Sequence, residues 1–495
     1  MIFNVMSMKQ IADWAFDTVN QRGAQYADVR VVDDRRRDLA TKNAKIGHAG
    51  SAESLGVGIR VLVDESWGFA ATDDLSRESI DRTAAYAVDV AKASARVKEH
   101  PIELAPEPPE KIEWSSPCQI DPFSTSIEQN LDLLMKIDRE LLAVQGVTLA
   151  ESSLHFGRYE QWFYSTEGSD IHQTRFITGA GFTALSFQGT EIQKRSYPNS
   201  FGGQHQNKGY ELVDELKLVE NARRIGEQAV ALHKADRCPQ GNATLLLGSS
   251  QLGLQIHESI GHPIELDRVL GMEANFAGTS FLTLEKLRTL RYGSDLVNVV
   301  ADATESHGPG LGTFAYDDEG VKAQCTPIIS NGLFTGYISS RETANTIGEN
   351  RSNGTMRAEG WNRIPLIRMT NISILPGEKP LTFEQLLADT EDGIFMETNR
   401  SWSIDDKRYN FQFGCEIGWE IKGGKLGRML KNPSYSGITT EFWNSMDAIC
   451  SRDQWTLWGT PNCGKGQPMQ TMGTGHGAAP ARFRNVKVGT AYKGN

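Results

Sequence analysis

Paired cysteines are missing from this chain. Its six cysteines stand at 118, 238, 325, 415, 450 and 463, with no Cys-x-x-Cys pair and no tight cluster. That spacing does not make a disulfide framework and fits a reducing compartment. Long apolar runs are missing too, so no stretch is long enough to span a bilayer. Met1 to Lys9 has no cationic run followed by an apolar segment, which is the pattern of a secretory leader. Cytoplasmic residence follows as the expectation. Positive charge is scarce: 51 Lys and Arg face 62 Asp and Glu, for a formal net charge of -11 and a pI near 5.5. This argues against electrostatic capture of nucleic acid or of an anionic membrane. A complete phosphate-cradling glycine loop is also absent. Gly56-x-Gly58 lies inside a strand-like run and lacks the later glycine and helix of that fingerprint.

What the chain does contain is His257-Glu258-Ser259-Ile260-Gly261-His262. Neutral imidazole is a standard ligand for a divalent transition metal. A carboxylate between two such ligands is placed to take a proton from an activated water. The competing reading is a polar helix end with two ordinary histidines. The separation of five is unusual, because on a regular helix rings five apart point roughly 140° apart. Gly261 readily leaves the helical region. Pro263 disfavours helical geometry at the residue before it. The sequence therefore predicts that the helix ends or widens between Ile260 and His262, by a break or a π-bulge. Ser249 or Ser250 is the predicted N-cap.

Two histidines do not complete a catalytic zinc site, which usually has three protein ligands. Cys463, His476, His307, Glu265 and Asp267 are the candidates for a third. Cys463 leads them. It sits in the turn-rich Pro461-Asn462-Cys463-Gly464-Lys465-Gly466, where Lys465 is near enough in sequence to favour a thiolate. Its plain alternative is an ordinary loop cysteine. His476, in a glycine turn, competes as a ligand or as a substrate hydrogen-bonder. Arg482 and Arg484 alternate along a strand-like run and compete between holding a peptide carboxylate and forming a structural salt bridge. Asp317-Asp318-Glu319 lacks calcium-loop spacing and reads as a solvated turn.

Four segments together resemble the TldD/PmbA family. They are His257 to Pro263, Asn462-Cys463-Gly464-Lys465-Gly466-Gln467-Pro468, Ala481 to Val486, and Thr313-Phe314-Ala315-Tyr316-Asp317-Asp318-Glu319-Gly320. The resemblance runs along nearly the whole chain and is to the active, TldD-like subunit. It implies a zinc metallopeptidase acting on short or unfolded peptides. Residue by residue it implies that His257, His262 and Cys463 hold zinc and that Glu258 is the catalytic acid/base. His476 and Arg482 are substrate-binding candidates from their residue types and placement alone. It also implies a dimer, either of this chain with itself or with a PmbA/TldE-like subunit. The stretch Leu266 to Leu290 carries no such match, so the resemblance implies no substrate preference. The alternative is a non-catalytic peptide-binding or partner subunit with a structural metal.

At 495 residues the chain exceeds the usual size of one hydrophobic core. The pattern predicts an α+β fold. An N-terminal mixed α/β domain, 1–238, would have two halves joined by a connector, 101–122, that holds six of the 18 prolines. A mostly β C-terminal domain, 239–495, would follow, as a barrel or layered sheets containing one central metal-binding helix. Helical spacing marks Met8–Arg22, Leu75–Ala95, Ser126–Gln145 and Glu211–Lys234. Asp64-Glu65 reads as a hairpin turn between strands. No repeat is visible at the level of residues.

Overall fold

The computed structural model describes residues 7–490. The expectation for Met1 to Lys9 lies largely outside them. The fold is mixed α and β, as the pattern predicts.

The first element is helix α1 (Met8–Gln21), where Ser7 accepts a hydrogen bond from Gln10 N and buries Ile11, Ala12, Ala15 and Val19 along one stripe. Strands β1 (Tyr26–Lys42), β2 (Lys45–Val63) and β3 (Ser66–Thr72) follow, then helix α2 (Arg77–Ala95). Asp64 and Glu65 both have positive φ, the geometry of the tight hairpin the sequence predicts. Part of the proline-rich connector is not bare. It forms strand β4 (Lys111–Ser115), which runs parallel to the later strand Asp170–Gln188. Helix α3 (Ile127–Leu142) starts with a capping box between Ser126 and Gln129. Strands β5 (Leu149–Ser165), β6 (Asp170–Gln188) and β7 (Glu191–Tyr197) and the helix Leu218–Ala231 complete the series.

Helix, three strands, helix thus occurs twice. The two units join at their first strands, since β1 pairs antiparallel with β5 from Asp28↔Ser165 to Lys42↔Glu151. The sheet order is β3-β2-β1-β5-β6, with β7 beyond β6. Each unit keeps its own core under its own helices. Val29, Val31, Val57, Ile59 and Val61 pack beneath α1 and α2, and Leu154, Phe156, Phe182 and Ala184 pack beneath α3 and its partner helix. The repeat is therefore one of topology and burial, not of residues.

The opposite face of β1 and β2 carries charge and meets the C-terminal half. Arg60 donates to Asp28 at 2.7 Å and to Glu319 at 3.0 Å, and Gln161 donates to Asp318 at 2.9 Å. Asp317, Asp318 and Glu319 are all buried, which corrects the solvated-turn reading. Asp318 and Glu319 are inside because the N-terminal strands bring glutamine and arginine to them, and Asp317 because the backbone N–H groups of Glu319, Val321 and Met356 donate to it. At Gly58 a Cβ would stand 2.3 Å from the Trp361 carbonyl, so only glycine permits this close seating.

In the C-terminal half five strands close a ring. Asp392–Ile404 pairs with Gly241–Leu247, which pairs with Ala481–Thr490, then Pro433–Ile438, then Asn410–Lys422, which returns to Asp392–Ile404. A separate six-stranded sheet ends in Asn371–Ile374, Gln470–Ala478 and Thr456–Lys465. The helix Ser249–Ile256 lies between them. Tyr435 from the ring accepts from Gln251 and donates to Gln255, both at 3.0 Å. On the other side Trp458 donates to Ser249 at 3.1 Å. The N-cap is Gly248, and it makes no side-chain cap bond. Neither Ser249 nor Ser250 caps the helix: their hydroxyls accept from Trp458 and from Thr398 N instead.

Candidate metal centre

The helix does widen at the motif. His257–Gly261 is one π turn, and His262 N bonds to His257 O at 3.2 Å. The five-residue hydrogen bond brings rings five apart back to one face. Their centroids lie 4.9 Å apart with planes at 89°. His262 itself keeps right-handed helical angles, φ -66 and ψ -41. The distortion thus precedes it, which differs from the predicted departure at His262. Two features accommodate the turn. Pro263 has no N–H to give Ser259 O, and the Tyr292 hydroxyl donates to that carbonyl instead. A Cβ at Gly261 would stand 2.1 Å from Met369 Sδ.

Cys463 arrives on the strand Thr456–Lys465, not on a loop. The pairing with Gln470–Ala478 slips between Thr460 and Cys463. Sγ lies 3.7 Å from His262 Nε2. The ligand atoms of His257, His262 and Cys463 all fall within 4.8 Å of one another, and all three residues are buried. Tetrahedral zinc with ordinary Zn–N and Zn–S bonds separates its ligand atoms by about 3.5 Å. Two nitrogens and one sulfur at these separations therefore fit such an ion.

Hydrogen bonds behind the rings assign their tautomers. His476 Nδ1 meets the Ile372 carbonyl at 3.1 Å, so that nitrogen carries the proton. His476 Nε2 is then an acceptor, and His257 Nδ1 donates to it at 2.7 Å. This leaves the lone pair of His257 on Nε2. His262 Nδ1 donates to Glu265 Oε2 at 3.0 Å, which leaves its lone pair on Nε2, toward Cys463. Burial pushes the pKa of His257 down and those of His262 and His476 well down, so the imidazoles are neutral. Burial opposes the Cys463 thiolate, but the neighbouring His262, which hydrogen-bonds it, and the charge of Arg368 outweigh burial, and its pKa falls below the ordinary thiol value. Because His262 is held neutral, Arg368 is the charge that persists at neutral pH. Its Nη2 donates to Cys463 O at 2.5 Å. Lys465, expected to serve that purpose, is spent on Asp267 at 2.6 and 2.8 Å.

The family profile described as the PmbA/TldA metallopeptidase C-terminal domain matches residues 240–490, and those for domain 1 and the central domain match 27–91 and 120–233. A metalloprotease of Methanocaldococcus jannaschii is 30% identical over 457 residues, 91% of this chain and 95% of its own. The chain belongs to the TldD/PmbA metallopeptidase family. Another member, named a zinc metalloprotease TldD homolog, from Saccharolobus solfataricus, is 23% identical over 469 residues, 94% of this chain and 97% of its own. The crystal structure of TldE from Thermococcus kodakarensis aligns with a TM-score of 0.69 at 14% identity, over 97% of this chain and 100% of that one. That likeness is one of fold.

Several candidates stand elsewhere in this TldD/PmbA member. His476 is buried behind His257 and faces no open space. Arg482 donates to Asp447 at 2.8 Å and to Asp389 at 2.9 Å, so it is a structural pair and not a free carboxylate binder. His307 bonds to Asp302 at 2.6 Å, near Cys325. Asp302 is filled there by Thr304 and Ser306 as well. Glu265 and Asp267 support the site from behind. Sequence reasoning missed Arg408, whose Nη1 donates to Glu258 Oε2 at 2.5 Å. It comes from the hairpin between Asp392–Ile404 and Asn410–Lys422 and has φ 63. A positive φ at a non-glycine residue is not readable from a lone Arg in Asp405-Asp406-Lys407-Arg408, though the cluster signals a turn.

Proposed function

We propose that this chain is a zinc-dependent metallopeptidase of the cytoplasm that hydrolyses short or unfolded peptides, with His257, His262 and Cys463 as the metal ligands. The observation that carries this reading is the convergence of three buried ligand atoms within 4.8 Å, with Glu258 adjacent in sequence. A zinc ion held there would supply a Lewis acid for the scissile carbonyl and for a water. Glu258 takes the proton of the attacking water and delivers it to the leaving amine. Arg408 occupies Oε2 of Glu258. Oε1 has no partner among the described residues, and it is the atom at which the proton would be held. His476 and Glu265 keep the imidazole lone pairs on Nε2. Two neutral imidazoles and one thiolate leave a divalent ion with one net positive charge. Glu258 cancels it, and Arg408 restores it.

The division into 1–238 and 239–495 belongs to the same reading, with the charged face of the first part closing over the second. So does assembly as a dimer, with a second copy or with a TldE-like subunit, which the likeness to TldE supports. The test is Glu258→Gln. The variant is expected to keep the metal content of the unaltered chain and to lose peptide cleavage. Cleavage at the unaltered rate would remove Glu258 from the mechanism.

A further inference from the structure

A cavity of about 470 Å³ lies between the charged face of the N-terminal sheet and the C-terminal half. The candidate ligands do not line it. It adjoins their strand: Pro461 and Met472 form part of its wall, and Met472 is the cross-strand partner of Cys463. Leu39, Leu154, Ile177 and Leu311 give it an apolar side.

Its carboxylates are already committed. Asp34 pairs with Arg36 at 2.6 Å, Asp38 with His155 at 2.6 Å, and Glu359 accepts from Thr471 N at 3.1 Å. Asp318, in a small adjoining cavity, is bonded to Gln161 and to Ala358 N and lies 3.6 Å from Arg30. Two cations are left. Arg175 stacks on the Tyr159 ring at 4.4 Å and makes no ion pair among the described residues. Arg357 is only 5% exposed, and it too makes no ion pair among the described residues. Its Nη atoms donate to the carbonyls of Met369, Gly473 and Leu311, and its buried Nε has no partner. Carbonyls satisfy hydrogen bonds without neutralising charge. Burial, then the charges of Arg175 and Arg368, hold the Arg357 pKa down to about 9 against the smaller opposing pull of Asp318 and Cys463. Two guanidinia without an ion-pair partner among the described residues, facing one cavity, are unfavourable until an anion joins them.

We propose that Arg175 and Arg357 form a carboxylate-binding subsite that anchors the C-terminal carboxylate of a peptide, with the apolar wall receiving its last side chain. The identity of the ligand rests on the peptidase reading; the site itself does not. Guanidinium matches carboxylate in planar, two-point geometry. The cavity's seat against the Cys463 strand places an anchored chain end beside the candidate metal centre.

The test is binding, so it does not depend on turnover. Full-length protein carrying Glu258→Gln is titrated into two fluorescein-labelled peptides of one sequence, one ending in a carboxylate and one in a carboxamide. Anisotropy reads affinity and mass spectrometry checks that the peptides stay intact. The acid is expected to bind at least about tenfold tighter than the amide, the worth of one hydrogen bond to a charged group. Arg357→Met and Arg175→Met should each remove most of that difference and leave amide binding unchanged. Arg175 is half-buried and its side chain bonds no backbone group among the described residues, so its variant stands even if Arg357→Met fails to fold. Inorganic phosphate should compete with the acid and not with the amide. Equal binding of acid and amide overturns the proposal, including when phosphate binds. So does a preference that survives both substitutions, or no measurable binding of the acid. Failure of the peptidase reading would appear separately, as no hydrolysis of either peptide by the unaltered chain.

Discussion

Replacing His476 by leucine removes the acceptor of the His257 Nδ1 proton while keeping an apolar side chain of similar size in a buried position. The hydrogen bond lost is 2.7 Å long, and His476 is 1% exposed, so no bulk water stands ready to substitute. Two outcomes are open to the ring, and both weaken metal binding. The N–H can stay on Nδ1 unpaired, at a cost of about 1–3 kcal/mol. Or the proton can move to Nε2, which then offers no lone pair to a metal. Outer partners of metal-binding histidines are typically worth 10–100-fold in affinity, or about 1.4–2.7 kcal/mol, which is the same range. Zinc affinity of full-length protein, read by competition with a chromophoric chelator, should therefore fall about 10–100-fold in His476→Leu. His476→Gln, whose amide oxygen can still accept, should stay nearer the unaltered value. A folded His476→Leu protein that binds zinc as tightly as the unaltered chain would refute the tautomer reasoning.

Arg408→Met should leave metal content unchanged and lower kcat at least about tenfold, a part of the 10²–10⁴ that general acid–base catalysis supplies, because Glu258 loses the group that orients it; steady-state kinetics with metal analysis reads both. Arg60→Met strands Asp28 and Glu319, both buried, and should cost about 3–5 kcal/mol of stability in denaturant or thermal unfolding. His205 is buried, and burial and then the charge of His155 lower its pKa from 6.5 to about 3. Below pH 6.5 the unfolded chain takes up a proton there that the folded chain refuses. Stability is therefore full above that pH and falls as pH drops toward 3, by about 2 kcal/mol at pH 5. His205→Gln should flatten that part of the stability–pH profile, measured by denaturation across pH 5 to 7.

Periodicity and capping made the helices legible, because α1 and α3 each carry one apolar stripe and a serine at the start. The widened turn was legible for a different reason. Two histidines five apart, followed by proline, are at odds with a regular helix. Its cap was not legible, since Ser249 and Ser250 look like caps until Trp458 and Thr398 claim them. Asp317-Asp318-Glu319 looked solvated because the arginines that bury it lie more than 250 residues away in sequence, as Arg60 does from Glu319. Sequence distance also hid Arg368 and Arg408, which reach Cys463 and Glu258 from other elements. His476 and Glu265 stood among the candidates as ligands, and only the fold shows them bonding the ligand imidazoles from behind. The doubled helix–strand–helix unit is legible as the order of elements in each half and not as a repeat of residues, because burial and order are preserved while the residues differ.

Cobalt(II) substitution tests the central claim most directly, since a thiolate ligand gives cobalt a near-ultraviolet sulfur-to-metal charge-transfer band and a tetrahedral site strong visible absorption. Titration of the metal-stripped full-length chain should produce both bands, saturating at one cobalt per chain, and Cys463→Ser should abolish the charge-transfer band. A charge-transfer band that never forms, or one that persists in Cys463→Ser, would contradict a metal held jointly by Cys463, His257 and His262.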